Sequence, residues 1–170
     1  LQGIPFVDLA YLRKSNVNGN ILVYRRHKTR QQLYITVENC AHKIIKRYAR
    51  ECKSSAYLLP ILNAVGEQGY KQYKSALRLY NKHLHQISEM IQITPHLTSY
   101  VARHTWASTA REKGIPVSII STGMGHSSEK VTYVYLESLD NKTMSEANKK
   151  IISAVTSKKK MILKKSSITY

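Results

Sequence analysis

Tyr100-Val101-Ala102-Arg103-His104-Thr105-Trp106 opens a stretch of 36 residues that runs on through Gly123-Met124-Gly125-His126 and closes on Tyr133-Val134-Tyr135. Taken singly, its polar groups are ordinary. An arginine on a helix is most often solvated or ion-paired, a histidine after Gly-x-Gly fits a loop, and Tyr135 is one of twelve tyrosines in the chain. Taken together, an Arg-His box, a glycine turn ending in histidine and a tyrosine nine residues beyond that histidine carry information in their order and spacing that no single member does.

The order resembles the C-terminal half of the tyrosine recombinase (phage integrase) catalytic domain. There a box ending Arg-His-[Thr/Ser] precedes Leu-Gly-His and a nucleophilic tyrosine. The resemblance implies that Tyr135 is the nucleophile and that Arg103 and His126 serve the scissile phosphate. Chemistry explains the choice of groups. A phosphodiester repels a nucleophile until its non-bridging oxygens meet fixed cationic donors, and the planar, permanently charged guanidinium of Arg103 can hold two such oxygens at once. His126 would donate to the same oxygens or assist a proton. A tyrosine hydroxyl, with a reference pKa of about 10, forms a phosphate ester that keeps the energy of the broken strand, so resealing needs no ATP.

The charge balance agrees with such a partner. Lys and Arg number 27 against 10 Asp and Glu, a formal net charge of +17 in 170 residues. That excess would repel itself in a compact fold unless a polyanion covers it, which makes nucleic acid the first partner to consider. An anionic membrane is the alternative, but no apolar run approaches the ~20 residues of a spanning helix, and the start carries no signal-peptide pattern. Cys40 and Cys52, twelve positions apart in one predicted helix, cannot bond to each other and are expected as reduced core thiols. The histidines show no zinc spacing, so neither a metal site nor a cofactor is expected.

Outward from the central stretch, the periodicity predicts a helix from Pro5 to Leu12, with Phe6, Leu9, Ala10 and Leu12 on one face, broken by Asn16, Asn18, Gly19 and Asn20. Ile21–Tyr24 and Leu33–Thr36 read as a β-hairpin with the basic tip Arg25-Arg26-His27-Lys28-Thr29-Arg30. Helices are predicted from about Glu38 to Cys52 and from about Tyr70 to Ile91, with a short strand or extended segment over Tyr57–Leu62 between them. The tyrosines at 70, 73 and 80 are expected to pack inward rather than to stack on bases. A helix from Ser99 to about Lys113 carries the Arg103 box and stops at Gly114; a short one from Ile115-Pro116 ends at the Gly123-Met124-Gly125 turn, and another delivers Tyr135. Thr143 to Val155 is a further amphipathic pattern, and residues 156–170 form a basic tail.

The resemblance covers nearly the whole chain, from Gly3 to Asn148, and is nearest in look to the integrases of conjugative and mobilisable transposons. It implies an α+β, mainly α fold with a small β-sheet or hairpin packed on a helical bundle, and a catalytic domain over residues 1–155. The opening at Leu1, already inside a helical pattern, adds the expectation of a fragment from a longer DNA-binding protein. In the family a hairpin lysine followed by threonine reaches the scissile site, so Lys28 is expected to protonate the departing 5′ oxygen. Arg25, Arg26, Arg30 and His104 are expected as DNA contacts. The implied partner is double-stranded DNA, bound by a homotetramer that is monomeric when free, in a prokaryotic cytoplasm with the nucleoid. A recombinase cutting and rejoining DNA for a mobile element is the reading; a catalytically weakened DNA-binding relative is the alternative.

Two departures support that alternative. An arginine that the family carries before its Leu-x-x-Leu helix falls on Pro5, or on Gln2 by another counting, and neither is arginine. Arg13, Arg25 and Arg26 are the substitutes on charge alone. The usual histidine three residues before Arg103 is Tyr100, whose phenol can donate to a phosphate but is no base at neutral pH.

Overall fold

The hairpin forms because its two strands alternate. In β2 (Ile21–Arg25) Leu22 and Tyr24 turn inward, in β3 (Gln32–Thr36) Leu33 and Ile35 do, and the register sets Leu22 opposite Ile35 and Tyr24 opposite Leu33. A two-residue strand β1 (Val17–Asn18) adds to the free edge of β2 and gives the antiparallel order β1-β2-β3. It lies where only a helix break was expected, since two residues are too few to show a period. The computed structural model describes residues 1–94 and 96–136, apart from the Tyr135 side chain. The compact unit Leu1–Tyr135 contains nearly all of this, and a second unit takes in Leu136–Tyr170. The helix expected from Thr143 to Val155 and the tail at 156–170 lie outside the described residues.

The inner face of the sheet supplies the main core. Leu22, Tyr24, Leu33, Ile35 and Val37 pack with Leu12 and Leu58, all buried, each aliphatic group contributing about 1.5–3 kcal/mol of hydrophobic stabilisation. Helix α1 (Phe6–Ala10) precedes the sheet, and α2 (Asn39–Tyr48) follows it and ends before Cys52. Cys52 is buried as expected, whereas Cys40 is exposed because it sits on the outer face of the first turn of α2. Tyr57–Leu62 makes turns rather than a strand, joined to the chain after α1 by one antiparallel bridge, Arg13 with Tyr57.

Helix α3 (Gly66–Met90) is long and meets α1 through aromatic rings: Phe6 stacks on Tyr80 at 5.0 Å and on Tyr73 at 6.3 Å, and Tyr11 leans on Tyr73 at 6.0 Å. Tyr73 and Tyr80 are seven positions apart, two turns of helix, and so share a face. Tyr70 and Tyr80 nevertheless stay exposed, at 52% and 39%, so the expected inward packing holds for Tyr73 alone of the three. The last three helices carry the central stretch: α4 (Val101–Glu112), α5 (Val117–Met124) and α6 (Glu129–Leu136). Gly114, at φ 77°, ends α4 with the paired bonds Gly114 N–H to Arg111 O and Ile115 N–H to Ala110 O.

Candidate active site

Arg103 and Ala107, one turn apart on α4, share its buried face, with 2% and 0% of their surface exposed. The guanidinium therefore starts from inside the protein. Its Nη1 donates to Gly3 O at 2.9 Å, and its Nη2 donates to Met124 O at 2.7 Å and to His126 Nε2 at 3.0 Å. Gly3 sits against it closely. At φ +63° a Cβ there would fall 3.0 Å from the Arg103 Cα, so only glycine gives both the conformation and the clearance.

His126 is placed by the end of α5. Gly125 takes a left-handed conformation, φ 62°, its N–H bonding Thr122 O and the next N–H, that of His126, bonding Ser121 O. This paired closure fixes where the imidazole leaves the backbone. It also leaves the carbonyls of Met124 and Gly125 as open acceptors at the negative end of the helix dipole. Cations collect there. Arg103 bonds Met124 O, Arg26 Nη1 donates to Met124 O and to Gly125 O, and Thr29 Oγ1 donates to Gly125 O at 3.0 Å.

The tautomer of His126 follows from its partners. A guanidinium only donates, so Nε2 must accept, the ring proton sits on Nδ1, and Nδ1–H donates to Thr132 Oγ1 at 2.8 Å across from α6. Burial, then the charges of Arg103, Arg26 and Lys28, push the imidazole down to about 4, so the ring is neutral at physiological pH. Arg103 is pulled down to about 10, by burial first and by Arg26 next, and stays charged.

The expected site residues separate into two groups. Arg103 and His126 are brought into contact, and Lys28 lies on the exposed turn between β2 and β3, close enough to influence His126. Tyr100 stands at the N-terminus of α4, about half exposed, its ring edge-on to His104 at 5.2 Å. Arg25, Arg30 and His104 are exposed. The structure differs at Arg26, expected as an exposed DNA contact at the hairpin tip. It is 6% exposed and its Nε pairs with Asp8 Oδ2 at 2.9 Å. The turn folds back over α1 and buries it, Asp8 Oδ1 also taking the His27 N–H at 2.8 Å. Tyr135 lies in α6, and the position of its side chain is outside the described residues.

Asp8, Thr132 and Gly3 were missed from the sequence. Asp8 did leave a trace, as a carboxylate among the apolar positions of α1, whereas a threonine six residues past a histidine leaves none. Among the described residues, no three His, Cys, Asp or Glu side chains gather as a metal site requires, and no helix is long and apolar enough to cross a membrane.

Comparison with known proteins meets this geometry. The sequence model of the phage integrase family matches residues 6–142. A tyrosine recombinase of Agathobacter rectalis is 28% identical over 138 residues, covering 78% of this chain and 43% of that protein. Among solved structures, XerA recombinase superposes with a TM-score of 0.62 at 19% identity, over 88% of this chain and 53% of that one. The XerH site-specific recombinase in a post-cleavage complex with palindromic difH substrate gives 0.63 at 14%, over 86% and 41%. The Tn1549 transposon integrase with transposon right end DNA gives 0.60 at 12%, over 89% and 56%. The chain thus spans about half the length of the relatives it matches.

Proposed function

This chain belongs to the phage integrase family, and we propose that it is the catalytic part of a site-specific DNA recombinase, with its catalytic domain over residues 1–155 and a basic tail beyond. The Tyr135 oxygen attacks a backbone phosphorus, forming the Tyr–O–P bond and breaking the bond to the 5′ oxygen. The phenolic proton passes to solvent water, the 5′ oxygen takes a proton from Lys28, and reversal with a new 5′ hydroxyl rejoins the strands. Arg103, braced by its bond to His126 Nε2, holds the non-bridging oxygens, with Tyr100 as a donor where the family has histidine. Arg25, Arg30 and His104 contact flanking DNA.

The observation that carries this reading is the buried Arg103 guanidinium bonded to a neutral His126 at the closed end of α5, under a hairpin bearing Lys28. Double-stranded DNA is the partner, a reading supported by the Tn1549 integrase, whose structure is a complex with transposon right end DNA. The protein works with chromosomal DNA in a prokaryotic cytoplasm, as a monomer that assembles into a tetramer on its sites, integrating or excising a mobile element.

A duplex nicked close to the cleavage site traps the covalent intermediate, because the short 5′ fragment diffuses away. Full-length protein should form a protease-sensitive adduct that EDTA leaves intact and that Tyr135→Phe abolishes. An adduct persisting in Tyr135→Phe would reject the nucleophile. DNA binding without any adduct in the wild type would favour the non-cutting alternative, which the lack of arginine at Pro5 and Gln2 also supports.

A further inference from the structure

We propose that Arg26 is the second arginine of the phosphate site, reaching from the hairpin turn into the place left without an arginine at Pro5. The inference rests on the strand-transfer reading above. Pro5 caps the start of α1, and Asp8 one turn later holds the Arg26 Nε at 2.9 Å, so the guanidinium lies over that first turn although it comes from another element. Of the other two candidates, Arg13 places its guanidinium 6.0 Å from the ring centre of Tyr57, and Arg25 ends β2 exposed.

Charge supports the assignment. Arg26 and Arg103 share one acceptor, Met124 O, so two permanent cations are held side by side with 6% and 2% exposure. Among the described residues Asp8 is the one carboxylate paired with them, and His126 is neutral, so the cluster carries a net positive charge in a poorly solvated place. Bringing like charges together there is unfavourable unless an anion completes the set. Two flanking guanidiniums suit a phosphodiester, which offers two non-bridging oxygens for bidentate bonding. Donors remain for it: the contacts of Arg26 use Nε and Nη1, and its Nη2 makes no hydrogen bond among the described residues. In the free protein the carbonyls at the end of α5 hold both side chains in place, and a phosphate takes over the donors.

The test compares a phosphodiester with a methylphosphonate at the scissile position of the nicked duplex, in the full-length protein. Replacing one non-bridging oxygen by methyl removes the charge that Arg26 would neutralise. Because Arg26→Gln alone leaves Asp8 buried without its cation, the double variant Asp8→Asn with Arg26→Gln is used beside it. The double variant should lose about 10²–10³-fold in single-turnover cleavage of the phosphodiester, and the loss should shrink below about tenfold on the methylphosphonate, since the neutral substrate no longer needs the second cation. Arg26→Lys, which keeps charge but not the fork, should fall between the double variant and wild type. Equal losses on both substrates, or wild-type cleavage by the double variant, would overturn the role of Arg26 while leaving strand transfer standing. A wild type that forms no adduct on either substrate would overturn both.

Discussion

His126 serves as an acceptor in the free protein, and that has a consequence in pH. Its pKa is about 4 against 6.5 for an ordinary histidine, so between those values the unfolded chain binds a proton that the folded one refuses. The stability associated with the neutral ring is whole above pH 6.5, declines as the pH falls from 6.5 towards 4, and is lost below that. The ring resonance of His126 should titrate near pH 4 in an NMR titration, and Arg103→Met should move it upward by removing a cation and a donor to Nε2. The burial that is the larger cause would remain. Titration of the wild-type ring near 6.5 would contradict the neutral, Nδ1-protonated form derived from its bonds to Arg103 and Thr132.

The closed end of α5 joins three elements, because the turn that positions His126 also supplies the carbonyls that hold Arg26, Arg103 and Thr29. Gly125 is its weak point. A Cβ there would lie 2.9 Å from Arg26 Cγ and 3.0 Å from Leu33 Cδ1, at φ +62°. Gly19, at φ +57° with nothing within 4 Å, provides the reference for conformation alone. Gly19→Ala should cost about 1–2 kcal/mol, and Gly125→Ala should exceed it by a further ~1–3 kcal/mol from overpacking. Denaturant unfolding measures both. Equal costs would show that the hairpin yields to the added methyl and does not clamp α5. The two glycines of the Gly-x-Gly turn looked alike in the sequence; only Gly125 needs the left-handed conformation, since Gly123 is still helical.

For the whole molecule the governing quantity is a net charge of +17. Duplex binding should weaken steeply with salt, as each neutralised phosphate adds about 0.9 to the slope of log K against log salt. Arg25→Ala and Arg30→Ala, at exposed positions of the hairpin, should each lower that slope by about one and weaken specific and non-specific duplexes alike. Fluorescence anisotropy across a salt series gives both numbers. An unchanged slope in both variants would place the DNA on another face of the protein.

The hairpin, the long helix over Tyr73 and Tyr80, and the three-helix carrier of the Arg103 box were all legible in the sequence. Alternation, helical spacing and glycine stops are local consequences of backbone geometry, and they print their period directly on the residues. Family membership was legible too, since it rests on the order of Arg103, His126 and Tyr135 along one stretch. What the sequence could not assign was which of several arginines lies inside. Arg25 and Arg26 are neighbours of the same type, yet one ends β2 exposed and the other is buried on Asp8, seventeen residues before Arg25, and on carbonyls nearly a hundred residues away. Burial and ion pairing between distant segments depend on how the hairpin turn packs against α1 and the end of α5. Only the tertiary structure makes that choice, because the free energy separating a solvated arginine from a buried one comes from the partners that folding brings to it.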